Sequence, residues 1–105
     1  MTYRFKLEDE ITDSNGKSEE EKLAIKFFRL IRDIYKLGEH KSKFYEFLQA
    51  QKKLKKLCQQ YDCWFMLGHH PYIWSRKTGK HFVSVVVPID LGDDLMKHIT
   101  AWKHS

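Results

Sequence analysis

A chain of 105 residues, 42% hydrophobic and 31% charged, is sized for one folded domain spanning 1–105 and excludes a disordered polymer. Its net charge of +5 is uneven: residues 1–21 set Arg4, Lys6 and Lys17 against seven acids, while the rest sets 16 Lys and Arg against 7 Asp and Glu. That polarity suits an acidic partner, nucleic acid included.

Nothing in the chain approaches the length of a bilayer span, and "MTYRFKLEDE" lacks the apolar core of a signal peptide. A membrane partner is not expected, and a cytoplasmic or nuclear location is. Cys58 and Cys63 are then expected as reduced thiols, too few for a disulfide framework.

In chain order, "TYRFKLE" alternates as a short strand and "TDSNG" follows as a loop, so residues 1–17 form an N-terminal strand and loop. Ser18 and Glu21 make a capping box, and Glu19 and Glu20 suit the positive end of a helix dipole. Leu23, Phe27, Leu30, Ile31 and Ile34 continue at helical spacing, with Gly38 as the stop. A second helix is expected from about Ser42, apolar along Phe44, Phe47, Leu48, Leu54, Leu57, Cys58 and Tyr61. Lys52, Lys53, Lys55 and Lys56 crowd its other side, and the short link "GEHK" makes the two helices antiparallel neighbours.

From Asp62 the period drops to 2. "CWFMLG", "YIWSRK" and "KHFVSVVV" read as three strands, the last two joined by a Thr78-Gly79 turn. A two-residue turn there would pair Trp74 with Val83 and Tyr72 with Val85 on one face, and Ser75 with Phe82 on the other. "VSVVV" is apolar on both sides, which predicts a central strand covered twice. A last helix is expected from Asp93 or Asp94, with Leu95, Met96, Ile99 and Trp102 inward. The whole is an α+β fold: two antiparallel helices packed on an antiparallel sheet, with a C-terminal helix.

No cofactor or metal is expected. Cys58, Cys63, His69, His70 and His81 match no zinc spacing, and adjacent histidines on extended chain point to opposite faces. Nucleophilic catalysis lacks an orienting third group beside Cys63. Ribonuclease chemistry would use Arg76, Lys77, Lys80 and His81 at one hairpin end, and small bacterial ribonuclease toxins share a broadly similar element order. Nucleic-acid binding without catalysis would use Lys52, Lys53, Lys55 and Lys56 on the second helix with Arg76, Lys77 and Lys80 at the hairpin tip, near Tyr72 and Trp74.

"SEEE" opening the first helix, Gly68, Trp74 and the Lys80-His81-Phe82 word together resemble the small dimeric, peptide-binding dynein light chain family, across residues 18–87. The most specific element is the eleven-residue interval between Gly68 and Lys80. The sequence departs from the family at Pro71 and Tyr72, where the family has phenylalanine and glycine, and at Ser84 and Val86, where it has groove tyrosines. "CWFML" is displaced by one from the family's Trp-His-Cys word, and the end of the chain reads as a helix where the family has a strand.

The resemblance implies a non-enzymatic module that binds an extended peptide by strand addition, as a homodimer exchanging the strand from about Tyr72 to Lys77. Its peptide-binding residues would be Tyr72, Trp74, Arg76, Lys77, Phe82 and Ser84, with Arg76 and Lys77 favouring an acidic peptide.

Overall fold

The computed structural model describes residues 2–11, 17–39 and 41–103, with Lys41 and residues 98–103 described by backbone alone. Its elements are β1 (Tyr3–Lys6), α1 (Glu19–Gly38), a 3-10 turn (Lys41–Lys43), α2 (Phe44–Gln60), β2 (Cys63–Met66), β3 (Tyr72–Ser75), β4 (Lys80–Val86) and α3 (Ile89–Lys103). The strands form one sheet in the order β1-β4-β3-β2. β1 lies parallel to β4 and the other pairs are antiparallel, so the sheet is mixed. The α+β architecture expected from the sequence is the one present.

Helix α1 starts where its capping signal puts it, with the Ser18 hydroxyl accepting the Glu21 N–H at 3.1 Å. Its inner stripe of Ala24, Phe27, Phe28, Ile31, Ile34 and Tyr35 is fully buried. Gly38 is not a left-handed stop but the last helical residue, where a Cβ would lie 2.6 Å from Leu95 Cδ1. The glycine is there for the close approach of α3. Helix α2 begins after the 3-10 turn rather than at Ser42, and buries Phe47, Ala50, Leu54, Leu57 and Cys58. Phe44 and Tyr61, expected inward, are exposed at its two ends.

Two corrections follow from the β3–β4 hairpin. Its loop is Arg76 to Gly79, since Ser75 pairs with Lys80, and the Gly79 N–H closes it on the Ser75 carbonyl at 2.9 Å. Gly79 takes φ +66°, the conformation that the Thr78-Gly79 signal correctly required. The predicted register is wrong. Tyr72 pairs with Ser84, Ile73 with Val83 and Trp74 with His81, which leaves Phe82 as the extra residue of a bulge. The bulge turns Phe82 toward the helices, where it meets Tyr3 and Phe27 edge-on, at 5.6 and 6.1 Å between ring centroids.

β4 is central, as expected, but it is covered once. Val83 and Val85 are buried under the helices, whereas Val86 is 61% exposed. α1 packs on β1 and β4, α2 on β2, and α3 on α1. α3 thus joins the helical side through α1, and none of the described helices is packed on the other face of the sheet. Helix α3 begins four residues before Asp93, and it turns Leu95 inward and Met96 outward. Ile99 and Trp102 lie outside the residues whose side chains are described. His69 Nε2 and Asp93 Oδ1, 2.6 Å apart, tie α3 to the β2–β3 loop.

Candidate nucleic-acid interface

Strand alternation and register define the uncovered face. Arg4, Ser84, Tyr72 and Met66 run across it in one row, and His81, Trp74 and Trp64 in the next. Lys6 and Val86 continue it beyond the first row. Arg76 follows β3 and lies over the Trp64 ring, 5.4 Å from its centroid. No Asp or Glu stands among these positions.

The aromatic groups touch one another. Tyr72 and Trp74 meet His81 edge-on, at 4.6 and 5.1 Å between centroids, and Trp74 and Trp64 are tilted at 6.5 Å. Trp64 is 50% and Met66 54% exposed, while Tyr72 and Trp74 are half-buried. An aromatic tract of this kind on a water-facing sheet exceeds what folding requires.

The margins differ. At the β1 edge, the chain caps itself: Asp9 accepts the Lys6 N–H at 2.8 Å, and Arg29 and Arg32 donate to the carbonyls of Ile11 and Asp9. At the β2 edge, Cys63 to Met66 presents neither a charge nor a proline, the devices that usually guard an edge strand. A cleft of about 320 Å³ runs beside it, lined by Lys55, Cys58, Gln59, Cys63, Trp64 and Phe65. Burial pushes the Cys58 thiol up to about 12. The Cys63 thiol is also raised, by burial and then by Asp62, with Lys77 opposing. Both are free thiols in a poor state for nucleophilic attack.

The residues singled out in the sequence are divided by this geometry. Tyr72, Trp74, Arg76 and Ser84 share the open face, but Phe82 is on the helical side and Lys77 at the hairpin tip. β3 is bonded on both edges within its own chain, to β2 and to β4. Lys52, Lys53, Lys55 and Lys56 sit on α2, across the sheet from the aromatic tract, and Lys55 lines the cleft at the β2 margin. Arg76, Lys77 and Lys80 do gather at the end of the hairpin. No group of three or more His, Cys, Asp or Glu converges among the described residues.

Arg4, Lys6, Trp64, Met66 and His81 belong to the face without having been assigned to it. Their signal was the alternation of "YRFK" and "CWFM", which puts Arg4 with Lys6 and Trp64 with Met66. A larger cleft, about 620 Å³ between α1 and α2, carries both signs of charge on Asp33, Lys36, Glu46 and Lys53 and lies away from the tract.

Comparison with known proteins returned no match: no family model, no curated protein and no solved structure matches the chain.

Proposed function

We propose that this protein binds single-stranded nucleic acid on the open face of its sheet. Bases stack on Trp64, Trp74 and Tyr72, and phosphates are taken by Arg4, Lys6 and Arg76, with Lys77 and Lys80 at the tip. The observation that carries this reading is the aromatic tract bordered by cations, with no acid among the positions of the face itself. Stacking on a flat ring tolerates every base, and a cationic border tracks the backbone without reading sequence. Duplex fits less well, because its bases are already stacked on one another.

The α2 lysines add long-range attraction rather than contacts. Titration with oligothymidylate and oligouridylate, followed by tryptophan fluorescence, tests the reading. Affinity should fall with salt, with a log–log slope of about −3 if four or five phosphates are neutralised. Absence of binding to either strand at low salt would end it.

A second reading rests on the bare β2 edge. The strand addition implied by the light-chain resemblance needs an open edge, and β2, not β3, offers one. Lys55 beside the edge and Arg76 and Lys77 at its hairpin end favour an acidic extended peptide. A homodimer would use the same edge, bringing the Lys55 side chains of two copies toward each other. Light scattering at high micromolar concentration separates a 12.7 kDa monomer from a species of twice that mass.

A further inference from the structure

Between α2 and β2 the chain turns through Asp62, which takes φ +54°, the one described residue other than glycine with positive φ. Asparagine and glycine adopt that conformation at least as readily, so the turn itself does not require a carboxylate. Asp62 meets Arg76 at two points, one a hydrogen bond and one a loose ion pair. Its carbonyl accepts the Arg76 N–H at 3.2 Å, and its Oδ1 lies 4.0 Å from Arg76 Nε. The same guanidinium covers the Trp64 ring. One arginine is thus shared between a carboxylate and an aromatic face, at the edge of the candidate interface.

We propose that Asp62 holds Arg76 over Trp64 as a displaceable cover, so that an incoming phosphate competes with the Asp62 carboxylate for the guanidinium. This rests on the nucleic-acid reading above. In the free protein, Arg76 masks the exposed side of Trp64 and is partly neutralised by Asp62. When a strand binds, Arg76 exchanges the Asp62 carboxylate for a phosphate oxygen, and a base takes its place on Trp64. The pair is loose and more than half exposed on both sides, as an exchangeable contact must be. Asp62 therefore sets a threshold: it weakens binding and favours ligands whose phosphate can reach Arg76 while a base reaches Trp64.

The test is Asp62→Asn, which keeps the backbone conformation and removes the charge. Its affinity for an oligothymidylate of about ten nucleotides, and for the matching oligouridylate, is compared with that of the unaltered chain. Tightening by about three- to fivefold is expected at low salt, the upper range of an exposed ion pair. In an Arg76→Ala background the same substitution should change affinity no more than Glu46→Gln, a charge control on α2. Unchanged affinity in Asp62→Asn, or a gain that persists in full without Arg76, overturns the inference while leaving the interface standing. Failure of every variant to bind either strand removes the interface and the inference together.

Discussion

The two faces of the sheet are built from the same alternating strands and meet different fates. On one, Ile73, Val83 and Val85 vanish beneath Phe27, Phe28, Ile31 and Ile34 in a single core. On the other, Trp64, Met66 and Val86 remain half or more exposed, although their side chains are no more polar. Apolar area buried against helices stabilises the fold by roughly 1.5–3 kcal/mol per large side chain, and the open face forgoes that gain. Substitutions should accordingly damage stability on one face and binding on the other.

The largest stability loss is expected at Phe28, which is fully buried and stacks on Phe5 at 4.6 Å. Phe28→Ala should lower unfolding free energy by about 3–5 kcal/mol in a denaturant titration. A loss under 1 kcal/mol would mean that the helical layer is not packed as described.

Phe82 tests where the boundary between the faces runs. It is half-buried and packs on Phe27 and Tyr3, so Phe82→Ala should cost about 2 kcal/mol and leave oligonucleotide affinity intact. Loss of binding from a folded Phe82→Ala protein would put the ring on the functional face and contradict the bulge.

Tyr35 joins the helical layer to the loop before β3. Its buried hydroxyl accepts the Gly68 N–H at 2.8 Å and donates to the Gly68 carbonyl. Tyr35→Phe should cost about 1–3 kcal/mol by stranding those buried groups. Burial pushes the phenol up to about 12 from an ordinary value of 10. The folded state then keeps its proton where the unfolded state loses it, so this contribution is present below pH 10 and declines as pH rises from 10 toward 12. Tyr35→Phe should flatten that part of the stability profile.

What the sequence made legible follows from range. The Ser18 cap, Phe27, Ile31 and Ile34 of the α1 stripe, the three C-terminal strands and the left-handed Gly79 are local signals, and each appears in place. Register is not local. A loop running from Arg76 to Gly79 and a bulge at Phe82 together changed every expected β3–β4 pair, and neither has a strong sequence mark. Nor can apolar runs tell how many layers cover a sheet: "VSVVV" reads as doubly buried, yet Val86 faces solvent. The face at Arg4, Lys6, Trp64 and His81 emerges only when β1 and β2 are placed on opposite flanks of the hairpin.

The smallest stability change should come from the open face, and there the two candidate cationic surfaces can be separated in one experiment. Trp64→Ala with Trp74→Ala, and separately Lys52, Lys53, Lys55 and Lys56 all to Ala, would be titrated with a fluorophore-labelled oligothymidylate. Each stacking ring should be worth about 1–3 kcal/mol, so the tryptophan variant should lose at least tenfold in affinity at every salt concentration. The lysine variant should weaken binding only at low salt. Circular dichroism should report both as folded. The opposite pattern, with full affinity in the folded tryptophan variant and loss in the lysine variant at every salt concentration, would place the nucleic acid on α2 and contradict the open-face interface.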